Sequence, residues 1–81
     1  MITAKQMKAA RALLGMDQRA LALAAGVSLP TIRRMEASAA NVRANVDTLV
    51  KVVDALDKAG IELIGEGAAS TRGGRGARLK R

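Results

Sequence analysis

The sequence contains no cysteine, no histidine and no aromatic residue. Without cysteine there is no disulfide and no thiol nucleophile, and without either residue the commonest zinc ligands are missing. Lack of histidine also removes the side chain that most often serves as general base near neutral pH. These absences point away from an enzyme and toward a chain that uses no metal and no cofactor, with no catalytic residue to name. No apolar run approaches the roughly 20 residues that a membrane span requires, and no signal-peptide core follows Met1. The expected setting is therefore cytoplasmic, with no membrane partner.

What is present bounds the answer further. A chain of 81 residues can bury one core. Its hydrophobic fraction of 49% is ordinary, but it is built from aliphatic side chains and many alanines, which suits closely packed helices. A net charge of +7 asks for a polyanionic partner, with nucleic acid ahead of an anionic membrane surface. Residues 1–66 hold nine basic and seven acidic residues, whereas residues 67–81 hold five basic and no acidic ones, so most of the excess sits in the tail.

Helical periodicity organises the first sixty residues. Ile2 to Leu14 reads as a helix, with Thr3 and Gln6 at capping-box spacing, Met7, Ala10 and Leu14 on one face, and Gly15 as its end. Asp17 is placed to cap a second helix reaching Ala25, with Leu21, Ala22 and Ala25 inward and Gly26 taking the turn. Ser28 caps a third helix, to about Ala37, that carries Pro30 in its first turn, where a missing N–H is harmless, and Ile32 and Met35 on its apolar side. Asn45 caps a fourth, with Leu49, Val52, Val53 and Leu56 as its stripe and Gly60 as its end. Asp47 with Lys51 and Asp54 with Lys58 form supporting i,i+4 pairs.

Gly60 marks a change of pattern. Ile61 to Ile64 is a short β-prone run, a Gly-rich basic stretch follows to Gly76, and Ala77 to Lys80 suits a second strand. Two such strands are marginal alone and need a helix face or a partner chain. The fold expected is an all-α core of four to five helices with a short C-terminal strand or hairpin.

The functional signal lies in QRALALAAGVSLPTIRRME, which sets Gln18, Ala22, Gly26, Ser28, Ile32 and Glu36 in a fixed register. A small residue at Ala22 lets one helix cross another closely, Gly26 supplies the tight turn, and Val27 with Ile32 fixes the angle between the helices. Across residues 2–60 the chain resembles the Cro/Xre-type, lambda-repressor-like helix-turn-helix family. The resemblance implies a DNA-binding domain over residues 1–60, of bacterial or phage type, that represses or activates transcription as a homodimer on pseudo-palindromic double-stranded operator DNA. It also implies no small-molecule ligand.

By that resemblance, Ser28, Leu29, Pro30, Thr31 and Arg34 approach base edges or flanking phosphates in the major groove, with Arg33 close by. Arg34 is the expected reader of a guanine through its O6 and N7. Gln18 is expected to grip a phosphate from the start of the second helix, and Asn41 and Arg43, in the loop before the fourth, to form a second clamp with Asn45. The family pairs an arginine and a glutamate at the positions of Arg11 and Glu36, which implies a structural bond between the first and third helices.

The extension over residues 61–81 is expected to serve dimerisation or contact with the DNA backbone. Its TRGGRGARLKR segment is too sparse in Arg-Gly steps for an RGG-type nucleic-acid binder, and an edge strand carrying Arg78 and Lys80 is favoured. The competing function is that of an antitoxin or another small interaction protein that uses the same module to hold a protein partner.

Overall fold

A computed structural model of the chain describes residues 2–38, 44–64 and 76–80. Four helices come first: α1 (Ala4–Leu14), α2 (Gln18–Ala25), α3 (Leu29–Glu36) and α4 (Val46–Lys58). Two short strands, β1 (Ile61–Ile64) and β2 (Gly76–Leu79), pair antiparallel with Ile61 opposite Leu79 and Ile64 opposite Gly76. The all-α core with a C-terminal hairpin is thus the observed architecture. Each boundary lies within a residue or two of its sequence signal, the largest shift being at α1, where Ile2 precedes the helix and Thr3 is its N-cap.

Local chemistry sets the ends of the helices. Thr3 and Gln6 form the full capping box, and Asp17, Ser28 and Asn45 each accept a hydrogen bond from the backbone N–H three residues on. Gly15 and Gly26 close α1 and α2 in the left-handed conformation, with φ of 68° and 71°. A side chain with a Cβ is strained there, so both turns depend on glycine.

One core joins helices and strands. Met7 from α1, Leu21 from α2, Ile32 and Met35 from α3, Val52 and Leu56 from α4, and Ile61 from β1 are all buried. Leu49 and Val53, read as core from the stripe, pack at its edge and remain half-buried. The hairpin lies against α1 and α4, which supplies the helix face that two isolated strands lack.

Gln6 makes the longest-range connection in this packing. Its side chain is almost wholly buried. Oε1 accepts from the Thr3 N–H at 2.9 Å, while Nε2 donates to the carbonyls of Ile64 at 3.1 Å and Gly76 at 3.0 Å. One amide therefore caps α1 and ties both strands to it. Gln6→Leu keeps the size but leaves those backbone groups without their partner, a loss of about 1–3 kcal/mol. Urea denaturation checks this, and a variant as stable as the parent would show that the clamp carries no weight.

Candidate nucleic-acid interface

The burial of Ile32, Met35 and Glu36 fixes which side of α3 faces outward. Pro30, Arg33 and Arg34 are exposed, and Leu29 and Thr31 are half-buried. Ser28 stands exposed at the start of the helix, where its Oγ accepts from the Thr31 N–H at 3.2 Å and lies 2.8 Å from the Thr31 hydroxyl. Six of the residues singled out by sequence, Ser28 through Thr31 with Arg33 and Arg34, thus belong to one helix and its cap.

Behind this face an ion pair locks α1 to α3. Arg11 Nε and Nη2 donate to the two carboxylate oxygens of Glu36, each at 2.7 Å, and Arg11 Nη1 donates to the Met16 carbonyl at 3.2 Å. The Glu36 side chain is 2% exposed. Burial pushes its carboxyl up, but hydrogen bonds from Arg11 and Gln18, with the charges of Arg11 and Lys8, outweigh that and hold its pKa below the ordinary value. The hydrogen bond to Glu36 chiefly holds the Arg11 guanidinium above its own usual value. The pairing implied by resemblance is present, in the two-pronged geometry that suits arginine and carboxylate.

Gln18 takes part in the same lock. Its Nε2 donates to Glu36 Oε1 at 3.1 Å, so the side-chain amide ties the start of α2 to the end of α3. A phosphate arriving at α2 would meet the unpaired backbone N–H groups of the first turn. It would also meet Arg19, which the sequence reading passed over. Asp17, Gln18, Arg19, Leu29 and Arg33 line one surface depression between α2 and α3, so Arg19 stands beside the recognition helix. Its position directly after Gln18, in the first turn of α2, was the available signal.

The proposed second clamp is divided. Asn41 and Arg43 lie outside the described residues, while the Asn45 side chain caps α4 by accepting from the Thr48 N–H at 2.7 Å.

Ion pairing separates the described residues into two electrostatic halves. Residues 2–38 carry six basic and two acidic residues. Of the six, only Arg11 is paired; Lys5, Lys8, Arg19, Arg33 and Arg34 make no hydrogen bond or ion pair through their side chains among the described residues. Residues 44–64 and 76–80 carry four of each sign, and there every cation is matched. Lys51 meets Asp47 at 3.3 Å, Lys58 meets Asp54 at 3.0 Å, Arg78 meets Glu62 at 2.7 Å and Lys80 meets Asp57 at 2.5 Å. The Arg78 hydrogen bond and charge also hold the Glu62 carboxyl below its usual pKa. Counting charge along the sequence placed the excess in the tail; within the described residues the unpaired positive charge lies on α1 to α3, and β2 is neutralised by its neighbours.

No cluster of acidic residues able to hold a metal ion occurs among the described residues, and no helix there is long and apolar enough to cross a membrane. A search of curated proteins returned no match to the chain. A family model described as helix-turn-helix matches residues 7–63, well over half the chain, and includes all of α2, the Gly26 turn and α3. The chain accordingly belongs to the Cro/Xre-type helix-turn-helix family, whose members are DNA-binding regulators.

Proposed function

We propose that the protein regulates transcription by occupying a pseudo-palindromic operator as a homodimer, without catalysis. The observation that carries this reading is the segregation of charge. The unpaired cations lie on α1 to α3, the elements that hold the outward face of the recognition helix, while α4 and the hairpin are internally neutral. Unpaired Lys and Arg can take up phosphates and release counterions, whereas a cation already held by a carboxylate must first give up that partner. Within this reading Arg34 reads a base edge, Arg33 and Arg19 meet the backbone, and Ser28 to Thr31 shape the contact. Gln18 contributes through the backbone of its helix turn and through the lock on Glu36.

The neutral half suits a second copy of the chain. On α4, Val46 and Val50 are 72% and 52% exposed, and Val50 and Val53 line a shallow groove rimmed by Asp54 and Asp57. These three valines fall at i, i+4 and i+7 on one stripe. In a two-fold interface each residue counts twice, so Val50→Asp is expected to raise the dimer dissociation constant roughly 30-fold or more, the effect of losing a strong contact of about 2 kcal/mol. Sedimentation over a concentration series measures it; a variant that dimerises like the parent would move the interface elsewhere.

Selection from a pool of random duplexes tests the function itself. The reading expects one recovered sequence in two inverted halves, centred about 34–36 Å apart or a multiple of that. Recovery of no common sequence would sink it.

A further inference from the structure

The recognition helix is flanked by unpaired cations from two different helices. Beside its N-terminal part stands Arg19 of α2, sharing a depression with Leu29 and Arg33. Lys8 of α1 belongs to the other end. It is exposed and lies one turn before Arg11, whose guanidinium grips Glu36, the last residue of α3. Its ammonium is near enough to that end to act on the Glu36 carboxylate, yet it makes no ion pair. Lys5, a further turn back along α1, is exposed and unpaired as well.

The dimensions fit a groove. Eight residues of helix measure about 12 Å, and the major groove of B-DNA is about 12 Å wide. A helix of that length seated in the groove brings its two ends near the two bounding backbones. We propose that Lys8 is a contact to the DNA backbone at the opposite end of the recognition helix from Arg19, with Lys5 reinforcing it. The inference rests on the DNA-binding reading above and extends it to α1, a helix to which the sequence assigned only packing and the lock on Glu36. The two cations then fix the helix along its own length, which sets the base pair that Arg34 faces.

The test is the salt dependence of binding to a mixed-sequence DNA duplex, followed by fluorescence anisotropy for the parent, Lys8→Gln, Arg19→Gln and the double variant. Each neutralised phosphate contributes about 0.9 to the slope of log K against log salt concentration. Each single variant is therefore expected to lose about 0.9 of the slope and the double about 1.8, so that the affinity change between roughly 50 and 200 mM salt shrinks about 3.5-fold per contact. Lys51→Gln, which removes a cation already paired with Asp47 on α4, is expected to leave the slope unchanged.

An unaltered slope in Lys8→Gln beside a reduced one in Arg19→Gln would overturn this inference and leave the DNA-binding reading standing. An equal loss in Lys51→Gln would also overturn it, because total charge rather than position would then govern binding. A parent chain with no salt-dependent binding to duplex DNA would remove both readings together.

Discussion

Replacing Arg11 with alanine is expected to destabilise the protein by about 3–5 kcal/mol, the range for removing one partner of a buried ion pair. Glu36 is 3% exposed and would keep only the Gln18 amide as a polar partner. Two strong hydrogen bonds vanish and the carboxylate is left in a site that water does not reach. Because the pair joins α1 to the end of α3, the orientation of the recognition helix loosens before the rest of the core does.

The pH dependence of the same variant provides an independent check. In the parent the Glu36 pKa is lowered on folding. Its contribution to stability is therefore complete above the unfolded value of about 4.3 and is lost as pH falls through the lower folded value. Without Arg11, burial becomes dominant and raises the folded pKa above the unfolded one. The sign then reverses: the variant's penalty is absent below the unfolded value and grows as pH rises through the folded one. Urea denaturation of both proteins at a series of pH values should show their stabilities converging below about pH 4. A constant gap across that range would mean that the lost stability is not electrostatic.

Arg34→Ala is expected to cost about 1–3 kcal/mol of discrimination at one base pair of the operator while leaving the other positions ranked as before. Its guanidinium is exposed, makes no bond within the described residues and projects from the helix side opposite Ile32. Folding stability should consequently change by no more than about 0.5 kcal/mol. This separation distinguishes a reader from a scaffold residue: Arg11→Ala damages fold and binding together, whereas Arg34→Ala alters choice with the fold intact. Titration against a set of single-base operator variants provides the measurement. An unchanged ranking would remove Arg34 from the readout and point to Arg33.

The local parts of this structure were legible because their causes are local. Thr3, Asp17, Ser28 and Asn45 cap helices by bonding three residues ahead, and Gly15 and Gly26 take left-handed turns that few other residues tolerate. The inward placement of Leu21, Ile32 and Val52 follows from the 3.6-residue period. The Arg11–Glu36 bond joins residues 25 apart and could be foreseen only through resemblance.

Other features depend on tertiary pairings that no spacing rule encodes. The double donation of Gln6 spans 58 and 70 residues, and a capping glutamine looks the same in sequence whether or not its Nε2 finds strand carbonyls. Arg78 and Lys80 read as free cations until Glu62 is set opposite one across the hairpin and Asp57 beside the other. Net charge along the sequence therefore assigned the DNA-facing excess to the tail, because a sum of charges does not record which of them are already paired. The Gln18 amide posed the same difficulty. Its place at the start of α2 was readable, but its bond to Glu36 depends on how α2 and α3 cross.

The most direct measurement of the central claim is the ratio of dissociation constants for a selected operator and for random duplex of equal length, at physiological salt. A helix-turn-helix that reads bases through Arg34 and its neighbours is expected to favour the operator by about a thousandfold or more. A ratio near one, with affinity falling steeply as salt rises, would show that only the unpaired cations act, and would contradict sequence-specific regulation.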